Sequence, residues 1–148
     1  HDIADLFNKI DISDYSIAAV TDYCMKNFIN LHIRSNDKTG GLDSLEYLKN
    51  YLCMRNPENY FQSGLLLINI NKIKKNNIQP KLIMKIIEKE YWFPDQDILN
   101  VIFENDVLYL DDRWNILNGN GDYESFYKKL PPKELKLLEK ARRNGLIS

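Results

Sequence analysis

Three short polar clusters lie beside predicted strands or at a predicted helix start, and their residue types could do chemistry. Thr21 and Asp22 follow one apolar run, Gln62 to Gly64 precede another, and Asp95 to Asp97 follow a proline. Together they offer carboxylates, amides and a hydroxyl, with no cysteine, lysine or histidine nucleophile. Asp and Gln side chains match sugar hydroxyls because between them they both accept and donate hydrogen bonds. If the three clusters converge, the sequence predicts a carbohydrate-binding environment.

Each cluster also has an ordinary structural explanation when it is taken alone. Gln62 to Gly64 have the composition of a turn, because small and polar residues predominate there. Asp95 can cap a helix, and Asp22 can be a solvated loop acid. The hypothesis of a site therefore depends on the elements that position these residues relative to one another.

Strand-like and helical patterns alternate along the chain, which predicts an α/β domain with a largely parallel or mixed sheet. Apolar runs predict strands at Ile17 to Val20, Leu65 to Asn69 and Val107 to Leu110. The second run lacks apolar-polar alternation, which favours a central strand covered on both faces. Residues 23 to 39 and 111 to 122 are polar and irregular and predict loops.

Helices are predicted from apolar spacing and from residues that favour helix starts. The predicted segments are Asp43 to Cys53, a short polar helix or loop at Lys72 to Asn77, helices beginning near Pro80 and Asp95, and a charged amphipathic helix from Pro132 to Arg143. The helix near Pro80 carries an apolar stripe that is expected to face the core. This stripe consists of Leu82, Ile83, Ile86 and Ile87. The helix near Asp95 is predicted to carry Ile98, Leu99, Ile102 and Phe103 on its inner face.

Length and charge exclude several classes of protein. The chain has 148 residues, which fits a single domain from 1 to 148, and its net charge of -1 gives no reason to expect a nucleic-acid partner. The apolar runs are far shorter than the ~20 residues that a membrane-spanning helix needs. Cys24 and Cys53 are expected to be reduced thiols in a cytoplasmic protein, and the Cys and His spacing predicts no metal site.

The local sequences around the three clusters, and their order along the chain, resemble those of a known family. YFQSGLLLINI, from Tyr60 to Ile70, resembles the YFNSGVLLINL segment of glycosyltransferase family 8. FPDQDILN follows, where that family has a DQD-[AI]-LN segment, and YLDDRWN comes next. Upstream, DIADLFNKIDISDYSIAAVTD is also similar to the family pattern. The resemblance runs from about Asp2 to the segment ending YLDDRWNILN, which is most of the chain.

This resemblance implies a GT-A type nucleotide-sugar transferase fold, with a mixed sheet flanked by helices. It implies a retaining, metal-dependent hexosyltransferase that moves a hexose from a UDP-sugar to a saccharide or lipid-linked saccharide acceptor. The expected setting is bacterial lipopolysaccharide or cell-surface polysaccharide synthesis. The family holds Mn²⁺ with a DxD pair and a later His, and the resemblance places that pair shortly before His1 and the His-containing segment just after Ser148. The chain is therefore expected to be the sugar- and acceptor-side portion of a catalytic domain, with the nucleotide-binding portion absent.

The resemblance also implies roles for residues. Asp95 falls on the family Asp that binds the hydroxyls of the donor sugar, and Gln96 falls on the Gln whose amide lies beneath the anomeric carbon. Gln62 stands where most members have an Asn that contacts sugar or acceptor. Ser63 and Gly64 match directly, and Gly64 would let the backbone approach the sugar.

Asp22, Asp97 and the predicted C-terminal helix are expected to have other roles. Asp22 matches an acidic position near the acceptor, whereas Asp97 is expected to support the helix start or a neighbouring side chain. The basic helix from Pro132 to Arg143 is either a solvated face, which is favoured, or a peripheral contact with the inner face of an anionic membrane. A non-catalytic member that binds glycans or a partner is the alternative function, because Gln62 departs from the family Asn.

Overall fold

The structure is a computed structural model that describes residues 3 to 114, apart from the side chains of Ile3 and Arg113. The strands of this part are β1 (Ile17–Thr21), β2 (Phe61–Ile68) and β3 (Val107–Tyr109). Its α-helices are α1 (Ile3–Lys9), α2 (Tyr23–Asn30), α3 (Ser44–Glu46), α4 (Ile70–Lys75), α5 (Ile78–Glu88) and α6 (Pro94–Phe103). Short 3₁₀ turns lie at Asp37–Thr39, Pro57–Asn59 and Asp112–Trp114.

The strands form one mixed sheet with β1 in the middle. β2 runs antiparallel to β1 and places Ile68 opposite Ile17. β3 runs parallel to β1 and places Val107 opposite the same Ile17. The predicted mixed α/β architecture is thereby confirmed.

The central strand β1 is buried on both faces, because every residue from Ile17 to Val20 is at most 1% exposed. Successive side chains of a strand point to opposite faces. Ile17 and Ala19 belong to an apolar cluster that includes Phe103 of α6. Ala18 and Val20 belong to a second cluster that includes Leu6 of α1. The apolar run therefore predicted this strand correctly.

The prediction that the second strand is central was wrong for the part of the chain described. β2 lies at the edge of the sheet and begins at Phe61, several residues earlier than predicted. Leu65 and Leu66 are half-buried, and Ile68 is 44% exposed. A continuous apolar run shows that a segment is hydrophobic, but it does not show how many neighbouring strands cover it.

The segment predicted as a loop from residue 23 to residue 39 contains helix α2 and a 3₁₀ turn. Asp22 caps α2, because its Oδ1 accepts from the backbone N–H of Met25 over 3.0 Å. Met25 and Phe28 are buried, three residues apart on one face of the helix. The polar residues between them concealed this short apolar spacing in the sequence.

The predicted helix from Asp43 to Cys53 is present, although its hydrogen bonding changes midway. Asp43 caps α3, with its Oδ1 accepting from Leu45 N–H over 3.0 Å. Beyond α3 the chain continues as a wider π-helical segment, Tyr47–Tyr51, in which Leu52 N–H bonds to Tyr47 O over 2.9 Å. Tyr47 and Leu48 of this segment are buried in the core.

Helix α5 begins at Ile78, before the predicted start at Pro80, and most of its apolar stripe does not face the core. Leu82 is half-buried against the core, but Ile83, Ile86 and Ile87 are 51%, 62% and 72% exposed. The prediction for the stripe was therefore wrong for these three residues. Periodicity identifies an apolar face, yet it does not identify what covers that face.

Helix α6 carries one predicted polar cluster in its first turn. It begins at Pro94, a position where proline is favoured because the missing N–H has no partner in the helix. Asp95 therefore lies inside the first turn, and the prediction that it caps the helix was wrong. The predicted inner face is confirmed, since Ile98 and Phe103 are buried.

Several predictions concern other parts of the molecule. Cys24 and Cys53 are free thiols, so no disulfide joins them. Among residues 3 to 114, none of the helices has the length and apolar character needed to cross a membrane. The predicted amphipathic helix from Pro132 to Arg143 and most of the predicted loop from 111 to 122 lie outside the described residues.

Candidate functional site

Four of the residues predicted to form a site lie together where β2 meets the first turn of α6. Gln96 is at the centre: its Nε2 donates to Asp22 Oδ2 over 2.6 Å, and its Oε1 accepts from the Ser63 N–H over 3.0 Å. Ser63 Oγ in turn donates to Asp95 Oδ2 over 2.6 Å. A continuous chain of hydrogen bonds therefore runs from Asp22 through Gln96 and Ser63 to Asp95.

A bulge in β2 presents the segment Gln62 to Gly64. Regular pairing with β1 holds at Leu66 opposite Ala19 and again at Phe61 opposite Thr21. Between these pairs, residues 62 to 65 of β2 face only Val20 of β1, so the register shifts. Bulges bend a strand and re-aim its side chains, and they are common beside active sites. The polar residues near the start of β2 therefore lie where its regular pairing with β1 is interrupted.

The three bulge residues differ in how much surface they present. Gly64 is exposed and Ser63 is half-buried, whereas Gln62 is only 6% exposed. Gln62 therefore offers little surface to a ligand, although it was predicted to contact sugar or acceptor. Ser63 is the bulge residue that joins the hydrogen-bonded chain.

Asn100 fixes β2 against α6, and the sequence reasoning assigned it no role. Its Oδ1 accepts from Phe61 N–H over 2.8 Å, and its Nδ2 donates to Phe61 O over 2.8 Å. Nδ2 also donates to Gln96 O over 3.0 Å, and Asn100 is fully buried. Gln96 and Asn100 are four positions apart on one face of α6 and hold backbone groups of Phe61 and Ser63. That spacing within DQDILN was the signal that could have found Asn100.

Asp97 anchors the start of α6 from inside the core. Its carboxylate accepts from the hydroxyls of Tyr47 and Tyr60 over 2.6 and 2.5 Å, and from the Phe93 N–H over 2.8 Å. Asp97 is 0% exposed. The prediction that Asp97 supports the helix start and a neighbouring side chain is confirmed. The two tyrosines had no predicted role.

Burial sets the electrostatics of this network. Loss of solvent raises the pKa of Asp97, and the hydrogen bonds from Tyr47 and Tyr60 oppose that change. Burial also raises the pKa of Tyr60, and the nearby Asp97 charge adds to the increase. Asp22 is 6% exposed, and burial raises its pKa against the opposing hydrogen bonds from Met25 and Gln96. Asp95, by contrast, is exposed to solvent.

The residues described here do not fit a bound metal ion. No group of three or more His, Cys, Asp or Glu side chains within residues 3 to 114 is arranged to hold one. Asp22 and Asp95 both belong to the hydrogen-bonded chain. The oxygens of Asp22 accept from Met25 and Gln96, and Oδ2 of Asp95 accepts from Ser63.

Comparison with known proteins agrees with this architecture. The model of glycosyl transferase family 8 matches residues 1 to 137. A curated Haemophilus influenzae Rd protein, provisionally named as a glycosyltransferase, is 35% identical over 122 residues, covering 81% of this chain and 32% of its own length. The apo structure of the bifunctional glycosyltransferase WbbM aligns with a TM-score of 0.77 and 32% identity, over 96% of this chain and 25% of WbbM.

The chain thus spans about a third of that curated relative and a quarter of WbbM. The mixed sheet and its flanking helices are those of a GT-A type fold. Because the family model covers more than half of the sequence, the chain belongs to glycosyl transferase family 8.

Proposed function

We propose that this chain is the sugar- and acceptor-side portion of a retaining glycosyltransferase that moves a hexose from a UDP-sugar to a saccharide acceptor. The observation that carries the proposal is the single hydrogen-bonded chain through Asp22, Gln96, Ser63 and Asp95. It brings three sequence segments to one place, and none of its side chains is a cysteine, lysine or histidine. Family membership supports glycosyl transfer as the type of reaction.

Asp95 and Ser63 are the groups suited to binding the donor sugar. Asp95 is exposed, and the Ser63 hydroxyl holds one of its oxygens over 2.6 Å. A carboxylate held in this way retains free lone pairs that can accept from sugar hydroxyls. The adjacent Gly64 is exposed and has no side chain to obstruct the approach of a ring.

Gln96 is the group suited to stabilising the reacting carbon. In glycosyl transfer the bond from the anomeric carbon to the UDP oxygen breaks, and the oxygen of an acceptor hydroxyl forms the new bond while losing its proton. Positive charge develops on the anomeric carbon in between, and a fixed amide oxygen stabilises it. Because an amide is a poor nucleophile, we assign Gln96 this electrostatic role. The orienting bonds to Asp22 and Ser63 fix the amide in advance.

The nucleotide and its metal are assigned to other residues. Family membership implies Mn²⁺ on the UDP diphosphate, where a cation would neutralise charge on the leaving group. Residues 3 to 114 provide no ligand cluster for it. We therefore propose that the nucleotide-binding groups lie outside the described residues.

The acceptor is proposed to be a saccharide or lipid-linked saccharide of a bacterial cell surface. The bacterial origin of the curated relative supports this setting, and the donor hexose is left open. Peripheral contact with the inner face of a membrane through the segment Pro132 to Arg143, which lies outside the described residues, is the less favoured alternative to a solvated face. Co-sedimentation with anionic vesicles tests that contact separately from transfer.

Substitution in the complete protein tests the proposed function. Asp95→Asn and Gln96→Ala should each lower the rate of transfer from a UDP-sugar by about 10²- to 10³-fold, the usual loss for one stabilising group. Asp37→Asn and Gln79→Ala are matched controls at exposed positions and should keep the wild-type rate. Wild-type rates in both site variants would refute the assignment. If calorimetry detects glycan binding but no Mn²⁺-dependent release of UDP, the result favours a non-catalytic member of the family.

A further inference from the structure

We infer that Asp22 is a positioning residue, which fixes the direction in which the Gln96 side-chain amide faces. This inference rests on the proposed function, in which the Gln96 oxygen faces the reacting carbon. It differs from the role that the family resemblance implied for Asp22, which was substrate binding at an acidic position near the acceptor. At 6% exposure, Asp22 has little surface left for a saccharide.

Both oxygens of Asp22 are already engaged. Oδ1 accepts from the Met25 N–H over 3.0 Å and caps α2, while Oδ2 accepts from Gln96 Nε2 over 2.6 Å. The backbone N–H of Asp22 also donates to Tyr60 O over 2.9 Å, which ties the residue to the start of β2. Apart from Gln96, Asp22 is therefore held at two points, its carboxylate by the Met25 N–H and its backbone by Tyr60 O.

Only one orientation of the Gln96 amide satisfies these neighbours. An ionised carboxylate can only accept, and a peptide N–H can only donate. The amide NH₂ must therefore face Asp22, and the amide oxygen must face the Ser63 N–H at 3.0 Å. The flipped amide would set its oxygen against the carboxylate and its NH₂ against that N–H, giving two repulsive contacts.

This orientation places the amide oxygen on the ligand side of the cluster. Oε1 lies 3.5 Å from Ser63 Oγ, which itself binds the exposed Asp95. The NH₂ group points to the buried Asp22 instead. Asp22 thus acts on the reacting carbon only through Gln96, by directing an oxygen toward the space beside Asp95.

The substitution Asp22→Asn tests this because asparagine has a single acceptor oxygen. It can serve either the Met25 N–H or the Gln96 NH₂, but not both. In the complete enzyme kcat should fall by about tenfold or more, while KM for the UDP-sugar changes by less than about threefold, as expected when alignment is lost and binding is kept. Asp43→Asn is the matched control, since Asp43 caps α3 in the same way, and it should leave kcat unchanged.

A paired substitution separates positioning from a general loss of stability. In Asp22→Asn/Gln96→Glu, the new carboxylate can accept from both the Asn NH₂ and the Ser63 N–H, with the net charge of the pair unchanged. The melting temperature of the double variant should exceed that of either single variant. Additive losses, expected for uncoupled residues, would overturn the inference.

Nuclear magnetic resonance of the side-chain amide makes the result independent of catalysis. The Gln96 NH₂ signals, assigned by their loss in Gln96→Glu, should move in Asp22→Asn and stay unmoved in Asp43→Asn. Unmoved signals in Asp22→Asn, or a raised KM with kcat preserved, would overturn the inference in favour of direct contact with substrate. If Asp95→Asn and Gln96→Ala retain full activity, the proposed function fails, and these signals still decide how Asp22 acts.

Discussion

The backbone N–H of Ser63 donates to the side-chain oxygen of Gln96 over 3.0 Å, although the two residues are 33 positions apart. One belongs to the bulge of β2 and the other to the first turn of α6. The geometry of the candidate site therefore depends on how firmly this strand and this helix are held together. Asn100 and Asp97 supply that connection from the buried side.

Removing the Ser63 hydroxyl should weaken transfer without unfolding the protein. Ser63→Ala keeps the backbone bond to Gln96 but releases Asp95, which the hydroxyl holds over 2.6 Å. Because a hydrogen bond to a charged group contributes about 1.5–3 kcal/mol, kcat/KM should fall about tenfold or more. Steady-state kinetics of the complete enzyme measure this loss. The exposed Ser13→Ala should retain full activity, and equal activity in both variants would contradict the role of Ser63.

Replacing the buried carboxylate of Asp97 should destabilise the fold. Asp97→Asn loses one of the acceptor oxygens that serve Tyr47, Tyr60 and the Phe93 N–H, and it brings an NH₂ group toward these donors. We expect the free energy of unfolding to drop by about 2–4 kcal/mol, since a buried network is left partly unpaired. Urea denaturation measures this drop. Asp37→Asn, at an exposed position, should change stability little, and a similarly small change for Asp97→Asn would contradict the network.

Alkaline pH should destabilise the protein through its buried tyrosines. Burial and the Asp97 charge raise the pKa of Tyr60 well above its ordinary value near 10. The unfolded chain therefore releases this proton first, so the stabilising effect is complete below about pH 10 and is lost as the pH rises further. The free energy of unfolding should fall by up to about 1.4 kcal/mol per pH unit for each such tyrosine.

Denaturation at a series of pH values measures how much Tyr60 contributes to the loss of stability at alkaline pH. Tyr60→Phe should make the decline above pH 10 shallower, although it lowers stability at neutral pH by removing a bond to Asp97. Leu48→Met is a conservative substitution elsewhere in the core and should preserve the slope. An unchanged slope in Tyr60→Phe would show that this hydroxyl ionises equally easily in both states.

Truncating Asn100 should loosen the contact between β2 and α6. Asn100→Ala leaves the N–H and C=O of Phe61 without their partner and removes the bond to Gln96 O. We expect a loss of about 2–3 kcal/mol in the free energy of unfolding, because buried backbone groups become unsatisfied. Hydrogen exchange at the Phe61 amide should accelerate selectively. An Asn27→Ala control in α2 should leave that exchange rate unchanged.

The sequence was informative where one local pattern decided the structure. The apolar run from Ile17 to Val20 identified the buried strand, and the spacing of Ile98 and Phe103 identified the inner face of α6. The polar clusters were found for a similar reason, because hydrogen-bonding residues beside apolar runs can be recognised in the sequence. Their convergence on Gln96 needed the folded chain.

Features that depend on contacts between distant segments were missed. Asn100 bonds to Phe61 across 39 positions, and the spacing of Gln96 and Asn100 on one helix face does not identify Phe61 as the partner. Helix α2 was missed because its buried Met25 and Phe28 are separated by polar residues. The stripe of α5 was misassigned because amphipathic spacing reveals a face without revealing its neighbour, and Ile87 is 72% exposed.

The bonds from Asn100 to Phe61 have a consequence for how this protein avoids self-association. In the described chain β2 is an outer strand, and the unpaired backbone of such a strand can template β-structure in another molecule. Asn100 bonds to the N–H and C=O of Phe61, and Gln96 bonds to the N–H of Ser63. These backbone groups are therefore not available to pair with a strand of another molecule. The same side-chain amides that hold the candidate site in place therefore also protect this stretch of β2 against aggregation.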